Sequence, residues 1–146
     1  MNDIKRLVNQ FREAIDEARD AGEFNKDSSF GRFPRGCCGD ASDLLAQFLL
    51  ENDIKTYYVG GTYKDWFHAW LITSNEIIID ITGDQFKYDP DFLKYDKPVY
   101  IGGKDAFHKL FIVEDRNVYE NFGLKSLGDM CLPRLIELYE KITKFI

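Results

Sequence analysis

Few residues in this sequence can serve as a nucleophile or a base, so their positions are informative. The chain of 146 residues has three cysteines and two histidines. Cys37 and Cys38 are adjacent, flanked by Gly36 and Gly39, and they precede the apolar run ASDLLAQFLL. A thiol must be a thiolate to act as a nucleophile, and the N-terminus of a helix favours negative charge. Its first backbone N–H groups have no partner within the helix and could stabilise an oxyanion. Cys38 is therefore the candidate nucleophile, with Gly36 permitting an unusual entry and Gly39 a close approach. Packing, or oxidation of the adjacent pair, is the plainer explanation for a cysteine in such a place. Asp40 would raise the pKa of a neighbouring thiol. Its side chain is expected to point away from the sulfur, capping the helix or bonding another loop.

His68 and His108 are the available bases. His108, in KDAFHKLFIV, is explained by a surface or edge position. His68, in DWFHAWLIT, opens a strand-like run and could equally be structural. Asp80 separates the two, because it interrupts the apolar run IIIDIT, where an unpaired acid is costly. An odd hairpin loop centred on Ser74 sets His68 opposite Asp80 and Trp70 opposite Ile78. Opposed residues share a sheet face with Cβ atoms about 4.5–5.5 Å apart. A two-residue turn at Ser74-Asn75 would put them on opposite faces. Cys38, His68 and Asp80 then have the layout of nucleophile, general base and orienting acid. Zinc on Cys37, Cys38, His68 and Asp80 is disfavoured, since adjacent cysteines do not easily share one tetrahedral ion. Neither a metal nor a cofactor is expected.

The elements that must position these groups follow from periodicity. Ile4, Leu7, Val8, Phe11, Ile15 and Ala18 recur at helical spacing, predicting a first helix that ends near Ala21-Gly22. EFNKDSSFGRFPRG is loop by composition. A second helix from about Cys38 to Asn52 buries Ala41, Leu44, Leu45, Phe48 and Leu49. IKTYYVGG, FHAWLIT and EIIIDIT read as strands, with PVYIGG and KLFIVED as further strands, the last at a sheet edge. CLPRLIELYEKITKFI closes the chain as a helix with Pro133 in its first turn. That order predicts an α+β fold with an antiparallel sheet, in a single domain over 1–146.

Composition limits the setting. A net charge of -6 argues against a general nucleic-acid or anionic-membrane surface, while allowing a local basic lip at Arg32 and Arg35. An odd cysteine count suits a reducing compartment. No apolar run approaches the roughly 20 residues of a membrane span, and the first residues lack an apolar signal segment. A cytoplasmic protein is expected. Its partner would be a protein or peptide substrate, with no nucleic acid and no membrane; its oligomeric state is not readable.

The residues GCCGDASDLLAQFLLENDIKTYYVGG, HAW and IIDIT resemble the core of the transglutaminase-like cysteine hydrolases, within the wider papain-like fold. Cys38-Gly39-Asp40 with Ser42 and Leu44 is similar to that family's nucleophile helix. Ile54, Val59 and Gly60 are similar to its next strand, His68-Ala69-Trp70 to its histidine motif, and Asp80-Ile81-Thr82 to the strand bearing its acid. The resemblance spans roughly residues 36–82. It implies a papain-like or transglutaminase-like core, with the nucleophile helix packed on an antiparallel sheet and helices at both ends of the chain. It also implies a Cys38, His68, Asp80 triad that hydrolyses a peptide, isopeptide or side-chain amide through a thioester. Glutamine deamidation or amine transfer is the alternative reaction, and a non-catalytic peptide-binding protein the alternative class. The chain departs from the papain pattern where a glutamine would precede the nucleophile, because Arg32 and Phe33 stand there. Cys37, Gly39, Trp66 and Gln85 are the candidates for an oxyanion hole or substrate groove. Phe30, Phe33, Arg35, Phe67 and Trp70 are weaker ones, and Trp70 is expected in the core. A one-residue shift at the helix start would favour Cys37 as the nucleophile.

Overall fold

An apolar stripe at helical spacing needs a surface to cover, and here three such stripes cover one another and one face of a sheet. The computed structural model describes residues 2–146. Helix α1 (Asn2–Asp20) buries Leu7, Val8, Phe11, Ile15 and Ala18. Helix α2 (Cys38–Glu51) buries Ala41, Leu44, Leu45, Phe48 and Leu49, and helix α3 (Leu132–Thr143), with Pro133 in its first turn, buries Leu135, Leu138 and Ile142. The strands are β1 (Tyr57–Tyr63), β2 (Trp66–Ile72), β3 (Ile78–Asp80), β4 (Tyr100–Gly102) and β5 (Val118–Glu120). They form an antiparallel sheet in the order β4-β3-β2-β1-β5. The fold is α+β, as the order of sequence patterns predicts.

Strand alternation divides the sheet chemically. Leu71 and Ile79, which pair directly, join the mixed aliphatic and phenylalanine core built with the helices. Val59, Trp70 and Ile78 face the other way, into a cluster with Phe86, Phe92, Tyr95, Phe107 and Phe111. Those aromatic residues come from short turns after β3 and after β4, so the second core is roofed by loops.

Three expectations are corrected. The β2–β3 connection is the odd loop 73–77, in which the Thr73 amide donates to the Ile77 carbonyl at 3.0 Å. Because Leu71 pairs with Ile79 and Ile72 with Ile78, Trp70 stands opposite Asp80, two residues from the direct His68–Asp80 opposition. KLFIVED is not a strand: it begins with a 3-10 turn at His108–Leu110 and makes one bridge, Thr62 to Ile112. Phe107, His108 and Phe111 are all buried, and that spacing suits a helical turn, since a strand sends neighbours to opposite faces. The edge is instead β5, paired with β1.

Candidate active site

Gly36, at φ +71°, turns the chain into α2 through a left-handed conformation that disfavours residues with a Cβ. The two cysteines then diverge. Cys37 caps the helix by position and packs into the core shared with the helices. Burial, with the charges of Cys38 and Asp40, pushes its thiol up to about 12. The Cys37 side chain is thus buried away from any groove and packs in the core. Cys38 begins the helix and stands near enough to His68 to contribute to the rise of the imidazole pKa. Asp40 points away from this contact, accepting from Arg134 Nη1 of α3 at 2.8 Å.

His68 is fully buried, and its Nε2 lies 2.7 Å from Asp80 Oδ2. The odd loop keeps both on the aromatic face, so the pair meets diagonally across β2 and β3, within reach of long side chains. Burial opposes a charged imidazole. The Asp80 charge and hydrogen bond outweigh it, with a further contribution from Cys38, and hold His68 at about 9. Burial likewise opposes the Asp80 carboxylate, but His68 and His108 hold its pKa well below the usual range. Asp80 Oδ1 accepts the Thr82 amide at 3.0 Å, so both carboxylate oxygens are engaged.

His108 is the main residue that sequence reasoning misplaced. It is fully buried, not at a surface or edge, and its Nε2 lies 2.7 Å from the same Asp80 oxygen that faces His68. Its Nδ1 lies 2.6 Å from Asp105 Oδ1, and Tyr95 donates to Asp105 Oδ2 at 3.1 Å. The only local signal was the Asp105-x-x-His108 spacing, in which Asp105 also accepts the His108 amide at 2.9 Å. His68, Asp80 and His108 have the residue types of a metal site. Zinc ligands at about 2.0–2.2 Å in a tetrahedron stand about 3.3 Å from one another. The observed N···O separations of 2.7 Å are those of shared protons, so the arrangement does not fit a metal ion.

With Nε2 committed to Asp80, Nδ1 is the His68 nitrogen left for the thiol. Gln85 Nε2 lies 3.5 Å from it and donates to the Thr82 carbonyl at 3.0 Å. Gln85 sits on a 3-10 turn (Gly83–Phe86) that α1 holds in place. Arg12 donates to the Ile81 carbonyl at 2.7 Å, to the Pro98 carbonyl at 2.9 Å and through two nitrogens to Asp84. On the other side of the thiol, a Cβ at Gly39 would stand 3.3 Å from the Tyr58 hydroxyl. The close approach expected at Gly39 is therefore made by Tyr58. Burial, then the charges of Tyr119 and Cys38, raise the Tyr58 phenol, so it remains a neutral donor. Tyr58 and Arg12 were both missed, because each acts through residues distant in sequence.

Trp66 is 51% exposed and forms part of the wall of an open cleft of about 920 Å³ that Gln85 also lines. Phe67 is exposed but packs across Gly60, on the opposite sheet face from His68. Phe30, Phe33 and Trp70 are buried in the core, the alternative that the sequence left open for the two phenylalanines and favoured for Trp70. No helix among the described residues is long and apolar enough to cross a membrane. The chain matches no family model, and neither a curated protein nor a solved structure matches it.

Proposed function

We propose that the protein is a cysteine-dependent acyl-transfer enzyme with a papain-like or transglutaminase-like core, hydrolysing a peptide, isopeptide or side-chain amide. The observation that carries this reading is the state of His68. Asp80 lies 2.7 Å from one ring nitrogen. The Cys38 thiol at the helix mouth stands near enough to contribute to the raised pKa of the imidazole, whose other nitrogen is left to act on it. A packing histidine needs no cysteine at a helix mouth beside it.

In the proposed reaction His68 takes the Cys38 proton, and the sulfur attacks the amide carbonyl carbon. The oxyanion of the tetrahedral adduct accepts from the free backbone N–H groups of the first turn of α2 and from the second Gln85 amide hydrogen. The C–N bond breaks, and His68 returns its proton to the leaving amine. Water then attacks the thioester while His68 takes its proton. When the C–S bond breaks, that proton goes back to sulfur. Deamidation or amine transfer would use the same thioester, with glutamine as acyl donor and an amine as the second acceptor.

The test is stoichiometric labelling with iodoacetamide, mapped by mass spectrometry, in the wild type and His68→Ala. Fast labelling at Cys38, slowed about tenfold or more without the histidine, is expected from a base contribution of about 10²–10⁴ in full catalysis. Cys38 labelling at the pace of exposed Cys131, and indifferent to His68→Ala, would leave a binding protein. Ammonia release from a glutamine peptide distinguishes deamidation or amine transfer from cleavage.

A further inference from the structure

The protein is acidic overall, with 25 Asp and Glu against 19 Lys and Arg. The cleft beside the candidate site departs from that balance. Arg12, Arg19, Arg32, Arg35 and Lys87 line it, against Asp16, Asp84 and Asp89. The acids do not cancel the cations evenly. Arg12 is clamped between Asp84 and Asp16, and Arg19 pairs with Asp16 and Asp20. Asp89 caps its own turn by accepting the Asp91 amide at 2.9 Å. Arg32, Arg35 and Lys87 are exposed and form no ion pair among the described residues. Arg32 reaches only the Ser28 carbonyl at 3.3 Å, and Lys87 lies over the Tyr88 ring.

These free cations share the cleft with Gly36 and Gln85, which adjoin the candidate site. Arg35 precedes Cys38 by three residues, and Lys87 follows Gln85 by two. The wall between them is Trp66 and Tyr88, both largely exposed, and Trp66 is held edge-on against Phe86. Asp89 is the one acid among the described lining residues that pairs with no cation, so the free charge of the cleft is net positive. A net positive cleft with aromatic sides concentrates anionic ligands. Unsatisfied arginines with planar donor forks favour carboxylates.

We propose that the cleft selects an acidic peptide segment, binding aspartate or glutamate side chains of the substrate at Arg32, Arg35 and Lys87, with an aromatic or aliphatic side chain against Trp66 and Tyr88. This proposal names the substrate of the reaction proposed above and rests on that reading. The chain would then act on polypeptides with carboxylates beside the reacting amide, and would exclude basic ones.

The experiment compares two alkylating reagents of similar size and different charge on the full chain. Iodoacetate is anionic and iodoacetamide neutral, so their rate ratio at Cys38 reports the local field, with exposed Cys131 as an internal reference. At low salt the ratio at Cys38 is expected to exceed that at Cys131 by roughly three- to tenfold, the range for a few partly screened charges. It should fall toward the Cys131 value in Arg32→Gln/Arg35→Gln/Lys87→Gln and in high salt. A ten-residue peptide alternating Glu and Phe should protect Cys38 from iodoacetamide, and its Gln-for-Glu counterpart should not. Equal ratios at the two cysteines, or equal protection by the two peptides, overturns the acidic-substrate proposal while labelling remains dependent on His68. Loss of that dependence overturns the catalytic reading itself, so the two failures are distinct.

Discussion

The two faces of the sheet bury charge in different ways. On the helical face the core mixes aliphatic side chains with phenylalanines, and its buried charge, Arg12, sits at the margin with Asp84 and Asp16 beside the open cleft. On the loop-roofed face the core is aromatic, and Asp80 is enclosed with a histidine on either side. Rings of Phe86, Phe107 and Phe111 surround His68 with centroids 5.3–5.7 Å away. Arg12 needs only a mechanical result, a fixed turn under Gln85. Around His68, exclusion of water strengthens the interaction with Asp80. Enclosure suits the proton transfers of the proposed reaction, whereas a residue that holds a loop can remain at the edge.

Removing the centre of the aromatic face should have the largest effect. Asp80→Ala leaves two buried histidines without their acceptor, and a cost of about 3–5 kcal/mol in denaturant unfolding is expected. Loss of His68-dependent labelling at Cys38 should accompany it. A change near zero would mean that the network holds little of the fold.

The same contrast gives a pH signature. His68 rises from an ordinary 6.5 to about 9 in the fold. Its stabilisation is therefore fully present below about pH 6.5 and is lost as pH rises through about 9. At about 1.4 kcal/mol per pH unit, the loss is on the order of 3 kcal/mol. Asp80 is shifted downward, so its contribution is present above the ordinary carboxylate range and is lost in acid. Unfolding free energy measured from pH 6 to 9.5 should fall in the wild type and fall less in His68→Gln. Parallel curves would contradict a charged, paired His68.

Arg12→Lys sharpens the comparison from the other face. Lysine keeps the charge but cannot reproduce the two-nitrogen contact with Asp84 together with both carbonyl contacts. About 1–3 kcal/mol should be lost. Cys38 labelling should still depend on His68, because Asp80 and its hydrogen bonds are untouched. The smallest effect is expected from Cys37→Ala, at about 1 kcal/mol for a lost core contact, with Cys38 labelling preserved. If Cys37 were the nucleophile, this substitution would remove the fast-labelling site.

Much of the architecture was legible because it is local. Helical spacing located α2 and its cysteine mouth, and the acid inside IIIDIT marked Asp80 as a residue that needs partners. Parity alone showed that an odd loop would bring His68 and Asp80 to one face, although the centre of the loop lay one residue further along. Less was legible where short turns replaced regular elements. KLFIVED looked like a strand because its apolar character is dense, and the burial of Phe107, His108 and Phe111 shows a helical turn at its start.

The sequence by itself determined the helices, the first strands of the sheet and the presence of a thiol, a base and an acid in a suggestive arrangement. These follow from periodicity and from the cost of burying an acid, both of which act over a few residues. Tertiary structure alone decided that Cys38 meets His68 while Cys37 turns into the core. It also decided that His108 completes the surroundings of Asp80 and that the free cations gather along one cleft. Such choices join residues far apart in the chain, and loop paths with no period of their own bring them together.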